Sequence, residues 1–365
     1  MAHSMKKPWI ETPLIESAAF SRAAGCRVFL KLELLQPGGS FKSRAVGNLI
    51  LSALLNPINE GKKLHFYSSS GGNAGMAAVI AARDLGCPCT VIVPVSTKAR
   101  VVNKLLEVGA ADVIKTGDSW FEADRYLRER FIENQEVSSE PPTTKNIYVP
   151  PFDHPDIWDG VGSIIPELAR QLPPRERREA DDSASAFPAD VLVASVGGGG
   201  LFNGLICGLD KYLQANCEDV GIEASKVHVV AVETKGTDSL ALSLREGSLQ
   251  SLPAITSLAT SLGALCVAPQ TLKNARSPPP GIQVTSLVGT DAEAANGVVL
   301  LSDELRLQVE LACGISVEVA VSKRLKEAVK GLKPDSRVVV IVCGGNNITA
   351  EMIAEYRQKL QNGWS

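Results

Sequence analysis

The sequence is short of the features that mark several whole classes of protein. Its apolar stretches are broken well before the roughly 18 residues that a membrane span needs. The start, MAHSMKKPW, has neither the apolar core of a signal peptide nor the arginines of a transit peptide, so a cytoplasmic protein is expected. Histidine is scarce: His3, His65, His154 and His228 lie far apart without H-E-x-x-H spacing, which leaves no zinc signature. There is also no Ser-His-Asp pattern built on a G-x-S-x-G elbow. The eight cysteines form no C-x-x-C pair and read as reduced thiols rather than a disulfide framework. A net charge of −3 gives no basic footprint, which sets aside nucleic acid and an anionic membrane as partners. The dinucleotide fingerprint G-x-G-x-x-G and the Walker sequence are missing too, so NAD and ATP lose ground.

What is present is ordinary in bulk: 365 residues, 45% hydrophobic and 21% charged, enough for one large or two medium domains. Strand and helix signals alternate, which predicts an α/β fold with a largely parallel sheet. A strand ends at Leu64–Tyr67, the loop SSSGGNAG follows, and Asn73 stands near a helix start. An alanine-rich helix over Met76–Leu85, a strand over Thr90–Val93, a helix over Lys98–Val108 and a strand from Asp112 to Lys115 complete a β-α-β-α-β run. Upstream, PGGSFKSRAVG leads into another helix. Ser40 is its expected N-cap, and Asn56-Pro57 ends it. Arg44 is expected to face water. Residues 134–146 and 171–189 read as loops, the second a flexible insertion. Later strands are expected over Val191–Val196, Val227–Val232 and Arg337–Val342.

Chemistry concentrates where strands run into glycine. SVGGGGLFNG, residues 195–204, joins a strand to a helix. Its glycines let the backbone approach a ligand, and the helix N-terminus behind them favours an anion, most simply a phosphate. Four consecutive glycines are entropically expensive for a turn alone. SSSGGNAG, residues 68–75, reads either as a second polar cradle suited to a carboxylate or as an ordinary capped turn. CGGNN, residues 343–347, lies at a strand's carboxyl end, where α/β sheets bind ligands. Lys42 at a helix start is unusual, because the partial positive charge there disfavours an ammonium ion. That placement suits an amine kept neutral or committed to a covalent bond, as a nucleophilic or basic lysine requires.

A lysine on a helix start, a tetraglycine phosphate loop and an amide-bearing carboxylate loop together suggest pyridoxal phosphate. SFKSR, SSGGNAG, SVGGGGL and VCGGNN, in that order, resemble the fold-type II pyridoxal-phosphate enzymes, above all the catabolic L-serine/L-threonine dehydratases. LQPGGSFKSRAVGN, PCTVIVP, YVPPFDHPDIWDG and SLATSLG extend the similarity from about Thr12 to Asn347. The resemblance implies a tryptophan synthase β-like fold: two open, mostly parallel twisted sheets flanked by helices. The large domain would take residues 1–42 and 150–365, and the small one 43–149. It implies Lys42 as the Schiff-base lysine and Phe41 beside the cofactor ring. Ser69, Ser70, Gly71, Gly72, Asn73 and Ala74 would hold the substrate carboxylate, with Ser70 and Lys42 as the catalytic pair and Asn73 also near the ring hydroxyl. Gly197, Gly198, Gly199, Gly200 and Leu201 would take the phosphate, and Cys343 would face the pyridine nitrogen. Glu233, Thr237 and Ser239, with Leu262 and Ala264, match the spacing of a monovalent-cation (K+) site in relatives; otherwise Glu233 is a solvated acid. Val161, Gly71 and the LACG run at 311–314 depart from the family pattern.

The activity so implied is β-elimination of water from L-serine, giving pyruvate and ammonia, and the same reaction on L-threonine, giving 2-oxobutanoate. The context would be amino-acid catabolism and gluconeogenesis in a cytoplasmic homodimer. Serine racemase and other fold-type II β-elimination or replacement enzymes are the alternatives, with a non-catalytic pyridoxal-phosphate-binding regulator more remote. The chain ends about twenty residues after CGGNN, so no C-terminal regulatory domain is expected.

Overall fold

A computed structural model describes residues 5–133, 144–174, 187–216 and 226–364. The elements run β1 (Leu14–Glu16), α1 (Ala18–Ala24), β2 (Arg27–Lys31), α2 (Lys42–Leu55), β3 (Lys63–Ser68), α3 (Asn73–Asp84), β4 (Cys89–Val93) and α4 (Ala99–Glu107). Then come β5 (Asp112–Lys115), α5 (Trp120–Leu127), β6 (Thr144–Val149), α6 (Pro155–Gly162), α7 (Ile164–Gln171), β7 (Val191–Ser195), α8 (Gly200–Asn216) and β8 (Val227–Thr234). The rest is α9 (Ser239–Glu246), α10 (Pro269–Arg276), β9 (Ile282–Gly289), α11 (Asp291–Leu305), α12 (Leu311–Val321), α13 (Lys323–Ala328), β10 (Arg337–Ile341) and α14 (Ala350–Gln361). The alternation expected from the sequence is therefore present. Among the described residues no helix is long and apolar enough to cross a membrane.

The chain divides into two compact units, one of residues 1–10 and 36–160, the other of residues 11–35 and 161–365. The expected domains, 43–149 against the remainder, assign residues 1–10, 36–42 and 150–160 differently. In the first unit a four-stranded sheet has the order β5-β4-β3-β6, with every pairing parallel. Strand β4 is buried at every position, as a parallel strand covered on both faces must be. Helices α2 and α3 pack on each other.

In the second unit a six-stranded sheet has the order β1-β2-β10-β7-β8-β9. Only β1 is antiparallel to its neighbour. Strands β7, β8 and β10 are buried throughout and read as near-continuous valine, leucine and isoleucine runs. From β7 the chain moves to β8 and β9 on one side, while β10 inserts on the other, next to β2. The crevice outside the carboxyl ends of β7 and β10 is thus a topological switch point, where such sheets bind ligands. A buried Lys31 ammonium ties this unit's entry strand to α7, donating to Glu167 Oε2 at 2.6 Å, Gln171 Oε1 at 2.9 Å and the Thr12 carbonyl at 2.7 Å.

Four local expectations need correcting or qualifying. Ser40 does not cap α2: the N-cap is Phe41, in helical conformation and without a side-chain cap bond. The Ser40 carbonyl already accepts from the Ser43 amide, so the turn begins one residue early, and the Ser40 hydroxyl is buried without a partner. Arg44 does not face water; it is fully buried, because α2 is covered on several sides and Gly160 sits against the Arg44 carbonyl. Thr144–Asn146 is strand rather than loop, since it pairs in register with Lys63–His65; residues 134–143 lie outside the described residues. Of the expected insertion, residues 175–186 lie outside the described residues, Gln171 ends α7, and Phe187 and Ala189 are fully buried.

Candidate active site

Within the first unit, Lys42 opens α2 and points its amine at the sheet. Its Nζ donates to the Pro151 carbonyl at 2.5 Å and lies 5.1 Å from the Phe41 ring centroid. Pro151 leaves β6, which pairs with β3 through Ser68 and Val149, so Pro151 and the Ser69–Gly72 loop depart from neighbouring strand ends. Lys42, Phe41 and the loop thus share the carboxyl edge of one sheet. Gly38, ahead of Lys42, packs against Ala77 of α3, which brings the lysine-bearing turn onto the helix that the loop starts.

The loop itself is tightly built. Gly72 caps α3 and Asn73 is its first residue. The Gly72 amide donates to Ser70 Oγ at 3.2 Å, which leaves the Ser70 proton available to a ligand. A Cβ on Gly75 would stand 1.7 Å from the Ser70 carbonyl oxygen, so only glycine lets the loop fold back over the helix. Ser69 is buried and its hydroxyl donates to Asp124 Oδ1 at 2.6 Å. Gly71 and Gly72 are half-buried, and Ala74 is buried. First-turn amides of α3 have no intrahelical acceptor and so face outward as donors.

Within the second unit, the tetraglycine loop joins β7 to α8 and its carbonyls are held from behind. Gly198 O accepts from the Ala268 amide at 3.0 Å and from Thr271 Oγ1 at 3.3 Å; Gly199 O accepts from the Asn203 amide at 2.8 Å. Asn203 Nδ2 donates to Thr271 Oγ1 at 3.0 Å, bracing α8 against α10. Gly199 has φ +101°, and a Cβ there would lie 1.8 Å from Thr271 Oγ1. With the Gly198 and Gly199 carbonyls engaged, the first-turn amides of α8 remain as donors, an arrangement suited to phosphate.

Cys343 stands just past β10, beside that loop's strand. Its Sγ lies 3.6 Å from Ser195 Oγ, the last residue of β7. It is also hydrogen-bonded to Cys313 of α12, and that bond, then the one from Ser195, holds the Cys343 thiol below its ordinary range against the effect of burial. Cys313 is pushed up, first by its bond to Cys343 and then by burial, so of the two thiols Cys313 holds its proton the more firmly. Glu310 anchors the following turn, accepting from the Asn347 amide at 2.9 Å and from the Ser261 hydroxyl.

Glu233 is not a solvated acid. It is fully buried at the end of β8, accepting from the Leu240 and Ala241 amides at 2.8 Å each. Burial pushes its carboxyl up to about 8 despite those bonds. Thr237 and Ser239 are fully buried in the same β8–α9 turn. Thr237 Oγ1 donates to the Thr234 carbonyl at 3.0 Å, whereas Ser239 Oγ has no hydrogen-bond partner among the described residues. Leu262 lies with its backbone against Gly197, and its carbonyl accepts the Ala264 amide at 2.7 Å.

Asp124, Tyr148, Pro151, Ser195, Thr271, Glu310 and Cys313 were not singled out from the sequence. YVPPF, which carries Tyr148 and Pro151, is a run the family resemblance already marks. Asp124 has no such signal, because what makes it notable is the packing of α5 on β3 and β6.

Comparisons with known proteins place the chain in a family. Residues 6–344 match the family described as "Pyridoxal-phosphate dependent enzyme". An L-serine dehydratase of Saccharomyces cerevisiae is 38% identical over 344 residues, covering 93% of this chain and 94% of the relative. A serine dehydratase-like protein of Homo sapiens is 38% identical over 362 residues, covering 98% and 97%. Among solved structures, a fungal L-serine ammonia-lyase from Rhizomucor miehei superposes with a TM-score of 0.80 at 29% identity, covering 97% of this chain and all of the other. With the family match running over almost the whole chain, the chain belongs to the pyridoxal-phosphate-dependent enzymes.

Proposed function

We propose that this protein is an L-serine ammonia-lyase that also accepts L-threonine, removing water across Cα–Cβ to release pyruvate or 2-oxobutanoate with ammonia. The observation that carries the reading is Lys42: an amine at a helix start, held by the Pro151 carbonyl, on the same sheet edge as a loop of hydroxyls and amides suited to a carboxylate. The names of the relatives, L-serine dehydratase among them, support that choice of substrate.

The donor set fits pyridoxal phosphate. Gly197–Leu201 would receive the phosphate on backbone amides, Cys343 would face the ring nitrogen, Phe41 would lie beside the ring, and Lys42 would bond the aldehyde. When bound, that cofactor supplies an aldehyde that captures amines and a ring that delocalises the electrons left by a departing proton. The work of the chain is to bind and orient. Ser69–Ala74 would position the substrate carboxylate, with the Ser70 proton donated toward it and Asn73 turned to the ring hydroxyl. Released from its bond, the Lys42 amine would take the α-proton. A thiol at the ring nitrogen is a weaker proton source than a carboxylic acid, which favours elimination over transamination.

The same reading extends to Glu233, Thr237 and Ser239 as ligands of a monovalent cation. A buried carboxyl near a buried hydroxyl that has no hydrogen-bond partner among the described residues fits a small cation of low charge. It extends further to a cytoplasmic homodimer of amino-acid catabolism whose ketoacid product feeds gluconeogenesis.

The test is ketoacid release from L-serine, D-serine and L-threonine, with and without potassium, together with chiral analysis of the residual serine. The purified holoenzyme is expected to absorb near about 410–420 nm, the band of a lysine-bonded cofactor. Lys42→Ala is expected to lose both band and activity. Full turnover in that variant, or racemisation outpacing ketoacid release, overturns the reading.

A further inference from the structure

Helix α5 packs its inner face, Ala123, Asp124 and Leu127, onto an apolar cluster that includes Tyr67 and Ile92. A carboxylate on such a face is costly unless its oxygens are filled. Asp124 fills one of them twice over: Ser69 and Tyr148 both donate to Oδ1 at 2.6 Å. Arg128 Nε stands 3.0 Å from Oδ2 without the alignment of a hydrogen bond, so it adds charge contact from a half-buried side chain. Ser69 is 1% exposed and Asp124 is 4% exposed, so water does not compete for these bonds.

The proton count matters here. A serine hydroxyl has one proton, and that of Ser69 goes to Asp124. The oxygen left over can only accept, whereas a substrate carboxylate needs donors. Ser69 therefore cannot serve that carboxylate through its side chain while it donates to Asp124. Ser70 is placed oppositely: its oxygen accepts from Gly72 and its proton is free to be given.

We propose that Asp124 is a positioning residue for the carboxylate loop, locking Ser69 and Tyr148 so that the Ser69–Gly72 backbone and the Ser70 hydroxyl are preset for the substrate. Ser69 is then an anchor and not itself a carboxylate donor. This rests on the reading of Ser69–Ala74 as the substrate loop. The two hydroxyl bonds are charge-assisted and short, the kind that holds a loop in one geometry. A preset loop binds the carboxylate alike in the ground state and the transition state, so losing it raises KM and spares kcat.

The test compares Asp124→Asn, Ser69→Ala and the double variant in the holoenzyme. Asp124→Asn is expected to raise KM for L-serine about tenfold or more, with kcat within about threefold. Ser69→Ala should shift KM in the same direction by no more than that, and the double variant should be no worse than about twofold beyond Asp124→Asn, as for residues acting through one unit. An unchanged KM in Asp124→Asn overturns the proposal. So does an additive double variant with the larger loss in Ser69→Ala, the pattern of a direct donor. If Asp124→Asn does not fold, Tyr148→Phe and Ser69→Ala carry the test, and KM unchanged in both overturns it.

A second readout needs no turnover. Amide hydrogen exchange of the peptide spanning residues 68–74 should quicken in the variants, while that of β4 stays fixed. Equal exchange overturns the proposal. A wild-type protein with no ketoacid release and no cofactor band would sink the lyase assignment instead, and the exchange comparison would still decide the role of Asp124.

Discussion

Ser195 Oγ and Cys343 Sγ lie 3.6 Å apart at the carboxyl ends of β7 and β10, two adjacent parallel strands. The same two strand ends deliver the glycine cradle and the CGGNN turn. If Cys343 faces the ring nitrogen as proposed, Cys343→Ala removes one neutral hydrogen-bonding group and leaves the glycine loop intact. The expected result is retained cofactor absorbance with kcat down about tenfold, the size of one such bond. Cys343→Ser, which keeps a hydroxyl at the position, should fall within about threefold of wild type. Equal kcat in Cys343→Ala and wild type would remove the thiol from the ring-nitrogen role.

Gly199 is the cradle position least able to change. Its φ of +101° is disfavoured for any side chain, and Thr271 Oγ1 occupies the space a Cβ needs. Left-handed strain and overpacking together cost about 2–5 kcal/mol. Gly199→Ala should therefore come off a column largely without cofactor and melt at lower temperature. The measurement is cofactor absorbance after dialysis beside the thermal midpoint. A variant that holds its cofactor as wild type does would show that the loop amides are not the phosphate site.

Much of this was legible in the chain. SVGGGG and SSSGGNAG are recognisable as glycine turns from strand into helix, and the structure has both turns there, between β7 and α8 and between β3 and α3. Strands β7 and β10 of the second sheet are near-continuous apolar runs, which a covered parallel sheet explains. What escaped were properties of juxtaposition. Arg44 reads as a solvated cation on a helix until Gly160 is seen closing over its backbone. Ser40 reads as a cap because its residue type caps helices, yet the turn starts one residue early. Asp124 looks like any surface acid, and its two hydroxyl partners come from 55 and 24 residues away.

His228 offers a pH prediction. It is buried in β8 with Nε2 at 2.7 Å from Thr285 Oγ1, and burial lowers its ring below the ordinary value of 6.5. His65 is lowered for the same reason. The unfolded chain takes up these protons at higher pH than the folded one does. Their stabilising contribution is thus complete above about 6.5 and is lost as the pH falls through the lowered folded values. His228→Gln, which keeps a neutral partner for Thr285, should narrow the difference in urea midpoint between pH 7.5 and pH 5.5, two conditions chosen on either side of that value. An unchanged difference would show that His228 titrates in the folded protein as it does in the unfolded chain.

The β8–α9 turn gives the sharpest test of the cation. Ser239 Oγ is buried without a partner, and such a group costs about 1–3 kcal/mol when nothing fills its place. If a potassium ion is what fills it, the effect of removing the hydroxyl must change sign with the salt. In potassium-free buffer Ser239→Ala should melt at the wild-type temperature or above it, because an unsatisfied polar atom has been deleted. With potassium added, wild type should gain several degrees, since a ligand that binds only the folded state stabilises it by mass action, and Ser239→Ala should gain little. Glu233 is unsuitable for this comparison, as its carboxylate also accepts the Leu240 and Ala241 amides and its loss would unseat α9. Equal potassium-dependent gains in the two proteins would take Ser239 out of the cation site, and no gain in either would remove the site itself.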